Sequence, residues 1–288
     1  MTPSAPRMPT FTVVTACRNA APYIEATVAS VLAQDAVREG RCELQYLVYD
    51  GASTDDTLAR LRGFSGHDLT VVSEPDGGLY AALAKALPRA AGDYVAYLNA
   101  GDLLHPGAFG IALECFTLPG VDWLTGYAVT LNEQSQVTAC TLPFRYRRDL
   151  IACGAYGRWL PFIQQESTLW RRTLHHTVDF ARLATFRYAG DAYLWSRFAT
   201  VTALHVVRGQ IGGFRIHRGQ LSENRAAYHA EQRSFSRPPG LGDRVRAAAD
   251  RALWAMPQRL SGRIADRSTL IVYDHAQQRW RHAPYLNP

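Results

Sequence analysis

The feature that most constrains the fold is the regular alternation of two kinds of segment over the first hundred residues. Short runs rich in β-branched and aromatic residues predict buried strands, at 11–15, 44–49, 69–73 and 93–98. Apolar residues at helical spacing predict helices between them, at 21–34, 54–61 and 78–91. Strands and helices that alternate with short connections are typical of a doubly wound, Rossmann-like α/β sheet with mostly parallel strands.

The pattern is less regular beyond about residue 120. Further strands are predicted at 123–131, 137–142 and 201–207, with a short helix at 191–198. The breaker Arg237-Pro238-Pro239-Gly240 predicts that a domain over 1–236 ends there. We expect two halves in it, about 11–120 and 121–236, and a C-terminal extension over 237–288. In that extension one helical face is predicted to carry Leu241, Val245, Ala249, Leu253 and Met256.

The charge is concentrated at the C-terminal end. The chain has a net charge of +6, yet residues 1–236 hold 22 basic and 21 acidic side chains, whereas residues 237–288 hold 9 arginines and 4 aspartates. The predicted crevice is therefore not a basic groove, and we expect no nucleic-acid partner. The basic extension instead favours peripheral contact with an anionic membrane, the alternative being a helix packed on the domain or on the partner subunit of a homodimer.

Targeting signals and cysteine chemistry point to a cytoplasmic protein. Met1–Pro9 has no apolar core of a secretory signal, and no run of about 18 apolar residues is present. The 5 cysteines are scattered and contain no CxxC pair, so neither a disulfide framework nor a zinc site is expected. We expect the chain to be cytoplasmic, at most peripheral on the inner face of the plasma membrane.

Polar clusters follow each of the first four predicted strands. Parallel sheets bind ligands at the carboxyl ends of their strands, so these clusters should line one crevice. Each cluster taken alone is equally typical of a turn. Carboxylates suit ribose hydroxyls or a base N–H, and a carboxylate with an amide oxygen suits a hard divalent cation. The clusters centre on Cys17-Arg18-Asn19, 50–55, 74–78 and 99–102.

Three motifs resemble those of family 2 glycosyltransferases, which have the GT-A fold, and the resemblance extends over roughly 11–225. They are SVLAQ at 30–34, DGASTDDT at 50–57 and SEPDGGLY at 73–80. The resemblance implies a nucleotide-sugar donor, linked to UDP, GDP or dTDP. It implies nucleotide-binding residues at Thr15, Cys17, Arg18, Asn19, Asp50, Ser53, Asp76, Gly78 and Lys85.

The segment 91–102 resembles the strand that leads into the metal motif of the family. Here the motif is Asn99-Ala100-Gly101-Asp102, so Gly101 replaces a carboxylate that many relatives have. This form resembles a subgroup linked to colanic acid and other exopolysaccharides. The resemblance implies that Asp102 and Asn99 hold Mn²⁺ or Mg²⁺, with His217 as a further ligand.

Segments of the second half resemble the acceptor side of the family. The resemblance implies that Asp191 is the catalytic base, although Asp191 could instead cap the following helix, and Glu166 is a rival base. Gln165 and Glu166 match the acceptor-side segment. The resemblance also implies that Arg215 and Arg218 belong to a loop that closes over the diphosphate and acceptor.

The function expected from these residues is inverting transfer of a sugar to an acceptor hydroxyl. The resemblance implies a glycan or lipid-linked glycan acceptor in bacterial surface polysaccharide synthesis. One alternative is a catalytically weak or inactive relative that binds nucleotide sugar or glycan, favoured only by the missing carboxylate at Gly101. Another is a sugar nucleotidyltransferase, which would need a glycine-rich phosphate loop that 15–19 lacks.

Overall fold

The computed structural model describes residues 7–256 and 268–283, and two sheets form its framework. The main sheet has nine strands in the order β13-β12-β10-β6-β9-β4-β1-β2-β3. They are β1 Thr10–Cys17, β2 Glu43–Asp50, β3 Leu69–Ser73, β4 Tyr94–Tyr97, β6 Trp123–Thr125, β9 Thr168–Arg171, β10 His205–Val207, β12 Leu270–Asp274 and β13 Arg279–His282. The second sheet has the order β5-β11-β7-β8, comprising β5 Leu103–Leu104, β7 Ala128–Leu131, β8 Val137–Thr141 and β11 Gly212–Arg215.

Helices cover both faces of the main sheet. The α-helices of the described residues are α1 Ile24–Leu32, α2 Asp35–Arg38, α3 Thr57–Arg62, α4 Leu79–Ala86, α5 Ala108–Cys115, α6 Arg148–Ala152, α7 Phe180–Leu183, α8 Gly190–Phe198, α9 Arg225–Phe235 and α10 Leu241–Ala255. No helix of these residues is long and apolar enough to cross a bilayer.

Alternation along β1 divides the core into two layers. Val13 packs with the side chains of α1 and α5, whereas its neighbour Val14 packs on the opposite face with α4 and α8. Successive side chains of a strand point to opposite faces, so a strand buried on both faces reads as a continuous apolar run. For this reason β1 could be predicted from its continuous apolar run in the sequence.

The direction of the strands puts the polar clusters at one edge. β1, β2, β3 and β4 are mutually parallel in register, with Cys17 opposite Asp50 and Asp50 opposite Ser73. β9 runs antiparallel to both β4 and β6, so the sheet is mixed but mostly parallel. The predicted doubly wound α/β class is confirmed.

Three sequence expectations differ from the structure. The predicted strand over 123–131 is two strands, because the chain leaves the main sheet after Thr125 and enters the second sheet at Ala128. The strand expected at 201–207 is limited to His205–Val207. The domain end predicted at 236 is not the end of the main sheet, since β12 pairs with β10 and β13 pairs with β12.

The predicted apolar face of the C-terminal helix is not the face that packs on the domain. α10 buries Asp243, Ala247 and Asp250, while Leu241 and Val245 are exposed. The polar side chains face inward because arginines of the domain pair with them. The helix predicted after Pro239 is therefore present as α10, and its exposed side carries Leu241 and Val245.

Candidate active site

Asp50 closes the carboxyl end of β2 and organises the first part of the crevice. Its carboxylate accepts hydrogen bonds from the Ser53 backbone N–H (3.0 Å), the Ser53 hydroxyl and the Ser73 hydroxyl (2.7 Å). The residue is only 1% exposed. Asp50 therefore links the loop after β2 to the end of β3, and Ser53 contributes two of the hydrogen bonds that do so.

In the loops after β1 and β2, two residues have a strained backbone conformation that hydrogen bonds hold in place. Asn19 and Ala52 have φ of 51° and 54°, in the left-handed region that few non-glycine residues adopt. The Asn19 side-chain oxygen accepts from the Thr54 N–H at 2.8 Å, and the Asn19 N–H donates to the Ser53 hydroxyl at 2.8 Å. Such strain persists only where surrounding contacts determine it, and it is concentrated at functional sites.

Asp76 reaches the same crevice from the loop after β3. A Cβ added to Gly51 would lie 2.9 Å from the Asp76 carboxylate, so the glycine is what admits this side chain. The Asp76 carboxylate accepts from the Gly78 N–H at 2.8 Å. Arg18 is exposed beside these groups, at the end of β1. The crevice thus combines an exposed cation with a half-buried carboxylate.

The structure shows protein partners for three of the proposed nucleotide-binding residues. The Thr15 hydroxyl is fully buried and bonds with the Tyr46 hydroxyl at 2.9 Å, because the side chain points into the core rather than toward the crevice. Lys85 pairs at the surface with Glu74, Nζ to Oε1 being 2.6 Å. Cys17 is buried against Asp50, and burial raises the pKa of its thiol, which suits a pocket wall and not a nucleophile.

The loop at 99–102 presents unpaired oxygen atoms. The Thr27 hydroxyl holds it by accepting from the Gly101 N–H and donating to the Asp102 carbonyl, both at 2.9 Å. The Asn99 amide donates to the Gln165 side chain at 2.9 Å, and Gln165 donates in turn to the Tyr97 carbonyl. Among the described residues, Asn99 Oδ1 and Asp102 Oδ2 are buried without a hydrogen-bond partner. Buried orphan oxygens are rare and call for an explanation such as an ion.

Arg215 holds this loop. Its backbone N–H donates to Asp102 Oδ1 at 3.0 Å, and its Nε donates to the Gly101 carbonyl at 2.7 Å. The rest of the guanidinium donates to the carbonyls of Asn132 and Glu133 and to the Ser135 hydroxyl. The side chain is buried and makes four hydrogen bonds within the protein, so the structure gives Arg215 a role in holding the loop.

His217 and Arg218 lie in the loop that follows β11. His217 Nε2 is 4.0 Å from the position a Gly101 Cβ would take, and its Nδ1 contacts the Arg218 carbonyl at 3.0 Å. Arg218 is exposed. The histidine ring thus lies beside the metal-motif loop, within van der Waals distance of where a side chain at position 101 would begin.

The donor set around this loop fits a hard divalent cation. Asp102 Oδ2 and Asn99 Oδ1 are oxygens of the kind that Mg²⁺ and Mn²⁺ prefer, and an imidazole nitrogen is tolerated by Mn²⁺. No cluster of three or more His, Cys, Asp or Glu ligands occurs in the part of the chain that the structure describes. Such a cation would therefore complete its coordination with phosphate oxygens or water.

Glu166 is a third buried acid beside this loop. Burial raises the pKa of its carboxyl well above the usual range, and the charges of Asp102 and Asp191 raise it further. Burial likewise raises the pKa of Asp102 to about 7, opposed by the hydrogen bond from the Arg215 N–H. Glu166 therefore lies close enough to both aspartates for their charges to act on its carboxyl.

Asp191 lies in the first turn of α8, between side chains from two other helices. Its Oδ1 accepts from the Ala192 N–H at 2.7 Å and from the Tyr80 hydroxyl at 3.4 Å, and its Oδ2 accepts from the Tyr228 hydroxyl at 3.4 Å. Burial raises the pKa of Asp191 to about 6, and these hydrogen bonds limit the increase. The residue before α8 is Ala189, so Asp191 is not the helix cap.

Glu231 fixes the backbone just before Asp191. Its carboxylate accepts hydrogen bonds from three consecutive N–H groups, of Arg187 (2.9 Å), Tyr188 (2.7 Å) and Ala189 (2.9 Å). Sequence reasoning missed both Glu231 and Tyr228, which lie on α9, about forty residues after Asp191. The only available signal was that a glutamate and a tyrosine three residues apart share one face of a helix.

Comparison with known proteins agrees with this geometry. Residues 12–133, under half of the chain, match the family model described as Glycosyl transferase family 2. An uncharacterized glycosyltransferase of Mycobacterium tuberculosis is 31% identical over 144 residues, which is 49% of this chain and 53% of that protein. The chain thus spans about half the length of this relative.

Solved structures share the fold over most of the chain. TarS of S. aureus, solved over 1–349 with UDP-GlcNAc, has a TM-score of 0.57 at 14% identity, with 88% of this chain and 70% of that chain covered. Glucosyl-3-phosphoglycerate synthase of Mycobacterium tuberculosis, solved with Mn²⁺, UDP and phosphoglyceric acid, has a TM-score of 0.55 at 22% identity, with 81% of each chain covered. The GT-A-like architecture expected from the sequence is confirmed.

Proposed function

We propose that this chain is an inverting glycosyltransferase that moves a sugar from a nucleotide-sugar donor to an acceptor hydroxyl. The observation that carries the proposal is the buried Asp191 carboxylate held between Tyr80 and Tyr228, in a chain whose residues 12–133 match the family 2 model. The exopolysaccharide-type motif at 99–102 supports surface polysaccharide synthesis as its setting.

Asp191 is proposed as the base. A carboxylate with a pKa of about 6 is deprotonated in most molecules at neutral pH and retains enough basicity to accept a proton. The acceptor hydroxyl gives its proton to Asp191 while its oxygen bonds to the anomeric carbon. The bond from that carbon to the diphosphate breaks, and the nucleoside diphosphate leaves with the electron pair. Attack from the face opposite the leaving group inverts the anomeric centre.

Tyr80 and Tyr228 orient that base. They donate to different oxygens of Asp191, so they hold the carboxylate from two sides. Tyr80 follows the loop of Asp76 and Gly78 and therefore connects the donor crevice with the base. Glu166 has its pKa raised well above the usual range and is better suited to hydrogen-bond an acceptor in its protonated form than to act as the base.

The donor is proposed to occupy the crevice formed by the loops after β1, β2 and β3. Arg18, Asn19, Asp76 and Gly78 are the groups there that offer charge or hydrogen bonds to a base, ribose or phosphate, and Asp50 with Ser53 fixes their loops. Solved neighbours that carry UDP or UDP-GlcNAc support a nucleotide sugar as the donor class. UDP-, GDP- and dTDP-sugars are the candidates.

Asp102 and Asn99, with His217 beside them, are proposed to hold Mn²⁺ or Mg²⁺. When bound, such a cation neutralises charge that develops on the leaving diphosphate. The chain itself prepares this position through Thr27 and Arg215, which fix the loop so that both orphan oxygens stay free. Arg218, exposed on the following loop, supplies a positive charge for the phosphate side.

The acceptor is proposed to be a glycan or lipid-linked glycan of a bacterial surface polysaccharide. The charge of +5 on residues 237–288 supports a cytoplasmic enzyme that works peripherally on the inner face of the plasma membrane.

Nucleotide release tests the proposal. The chain is incubated with UDP-, GDP- and dTDP-sugars, a bacterial lipid extract as the acceptor source, and Mn²⁺, Mg²⁺ or EDTA. We expect release with one donor class in the presence of metal, and Asp191→Asn to abolish release while donor binding, measured by calorimetry, persists. Donor binding without release by the native chain would favour the binding-only relative, and absence of both would refute the proposed function.

A further inference from the structure

α10 is attached to the domain by its charged side. Asp250 is 1% exposed and pairs with Arg145 and Arg147, the closest N–O distance being 2.6 Å in each case. Asp243 pairs with Arg237 at 2.7 Å and accepts from the Gly240 N–H at 2.8 Å. Breaking a buried ion pair is costly, so these contacts fix the rotation of the helix about its axis.

The side of α10 that faces outward is apolar. We name it the α10 outer face; it is formed by Leu241, Val245, Ala248, Ala252 and Met256, all exposed. Leu241 is 80% exposed and Val245 is 61% exposed. The spacing of three or four residues makes a continuous stripe along the helix, opposite Asp243 and Asp250. Amphipathic helices of globular domains normally bury such a stripe, so its exposure marks an interaction surface.

The charges beside the stripe are positive. Arg244 and Arg251 lie seven residues apart and flank the α10 outer face on one side, both exposed. The two acids of the helix are on the opposite, packed side, where arginines neutralise them. The outward half of α10 is therefore apolar and cationic and carries no acid.

We propose that the α10 outer face docks on an anionic lipid bilayer, with the helix lying in the plane of the headgroups. Leu241, Val245 and Met256 would enter the boundary between headgroups and acyl chains, and Arg244 and Arg251 would contact lipid phosphates. An apolar stripe flanked by arginines is the pattern of in-plane interfacial helices. The inference deepens the proposed function, on which its purpose rests, by naming the surface that brings the crevice to a membrane-bound acceptor.

A second copy of the chain fits this surface less well. A symmetric dimer contact places the same patch against itself, which would bring arginines of the two helices together with no acid between them. Like charges placed together in an interface are costly. An anionic bilayer satisfies the stripe and the arginines at the same time.

Flotation of the full chain with vesicles tests the inference. We expect binding to phosphatidylcholine vesicles that contain phosphatidylglycerol, and much weaker binding to phosphatidylcholine alone. Leu241→Asp with Val245→Asp should lower partitioning by at least about tenfold, because two exposed apolar side chains no longer enter the bilayer. Arg244→Ser with Arg251→Ser should lower it by about fivefold per arginine, with a reduced dependence on salt.

Val201→Asp is the matched control, since Val201 is 48% exposed and lies outside α10. It should bind as the native chain does. Three results would each overturn the inference. The Leu241/Val245 variant could bind vesicles as the native chain does, the control could lose as much vesicle binding as that variant, or the native chain could fail to bind. A stable dimer that the Leu241/Val245 variant dissociates would also overturn it, in favour of self-association. Nucleotide release is also measured in detergent, where docking on a membrane is not needed. We expect the Leu241/Val245 variant to retain this release, which separates loss of docking from failure of the proposed function.

Discussion

Replacing Tyr228 with phenylalanine should make the enzyme more sensitive to acid. The substitution removes the hydroxyl that donates to Asp191 Oδ2 at 3.4 Å, and this hydrogen bond is one of the contacts that lower the pKa of Asp191 toward about 6. A hydrogen bond to a buried group contributes about 1 kcal/mol, which corresponds to about 0.7 pKa unit. We therefore expect the pKa of Asp191 to rise by about that amount.

The sign of the effect follows from which form is active. The base must be deprotonated, so activity falls as pH drops through its pKa, and a higher pKa moves this loss to higher pH. At pH 5 the deprotonated fraction would fall from about 9% to about 2%, roughly a fivefold loss, whereas at pH 8 the loss would be under about 10%. The measurement is kcat/KM for nucleotide release between pH 5 and 8.5, which reports the free enzyme.

Tyr193→Phe is the matched control. Tyr193 lies on α8 beside Asp191, but its hydroxyl donates at 3.4 Å to the Asp179 carbonyl. It should leave the acid side of the profile unchanged. The reasoning is refuted if Tyr228→Phe lowers activity equally at every pH, if the profile moves to lower pH, or if Tyr193→Phe moves it by the same amount.

Three further predictions concern the supports of the site. Glu231→Ala removes the acceptor of three backbone N–H groups and should lower the free energy of unfolding by about 2 kcal/mol. We expect a melting temperature lower by roughly 4–8 °C and a lower kcat at unchanged donor KM. An unchanged kcat would contradict this prediction. Gly190→Ala would put a Cβ 2.3 Å from the Tyr80 ring and should lower the melting temperature by a similar amount, whereas Gly66→Ala, in open space, should not. Asp102→Asn should weaken Mn²⁺-dependent binding of UDP by at least about tenfold in calorimetry, and metal titration identical to the native chain would refute the assigned ligand.

The amino-acid sequence was sufficient for the first half of the fold. The strand that ends at Asp50 and the loop that carries Asp76 were predicted from local patterns, because buried parallel strands read as apolar runs and turn residues mark their ends. The order of these elements along the chain places their polar ends at one edge of the sheet. The family motifs at 50–57 and 73–80 then indicated what chemistry that edge serves.

The environment of Asp191 depended on contacts that no local pattern encodes. Tyr228 and Glu231 reach it from a helix about forty residues away, and no motif or spacing in the chain pairs them with Asp191. The side-chain environment of Arg215 was likewise not predictable from the sequence. Its position in the chain suggested a diphosphate ligand, while its side chain turns inward and holds the loop of Gly101 and Asp102.

The sequence by itself determined the alternation of strands and helices, the polar residues at the strand ends and the presence of an amphipathic helix near the C-terminus. These depend on side-chain periodicity, which is a property of neighbouring residues. The tertiary structure alone decided which face of that helix is buried, because Asp250 finds its partners Arg145 and Arg147 only once segments distant in the sequence meet. Those long-range ion pairs leave the apolar face of the helix exposed. Which side chains a fold buries therefore depends on the partners available to them as well as on their hydrophobicity.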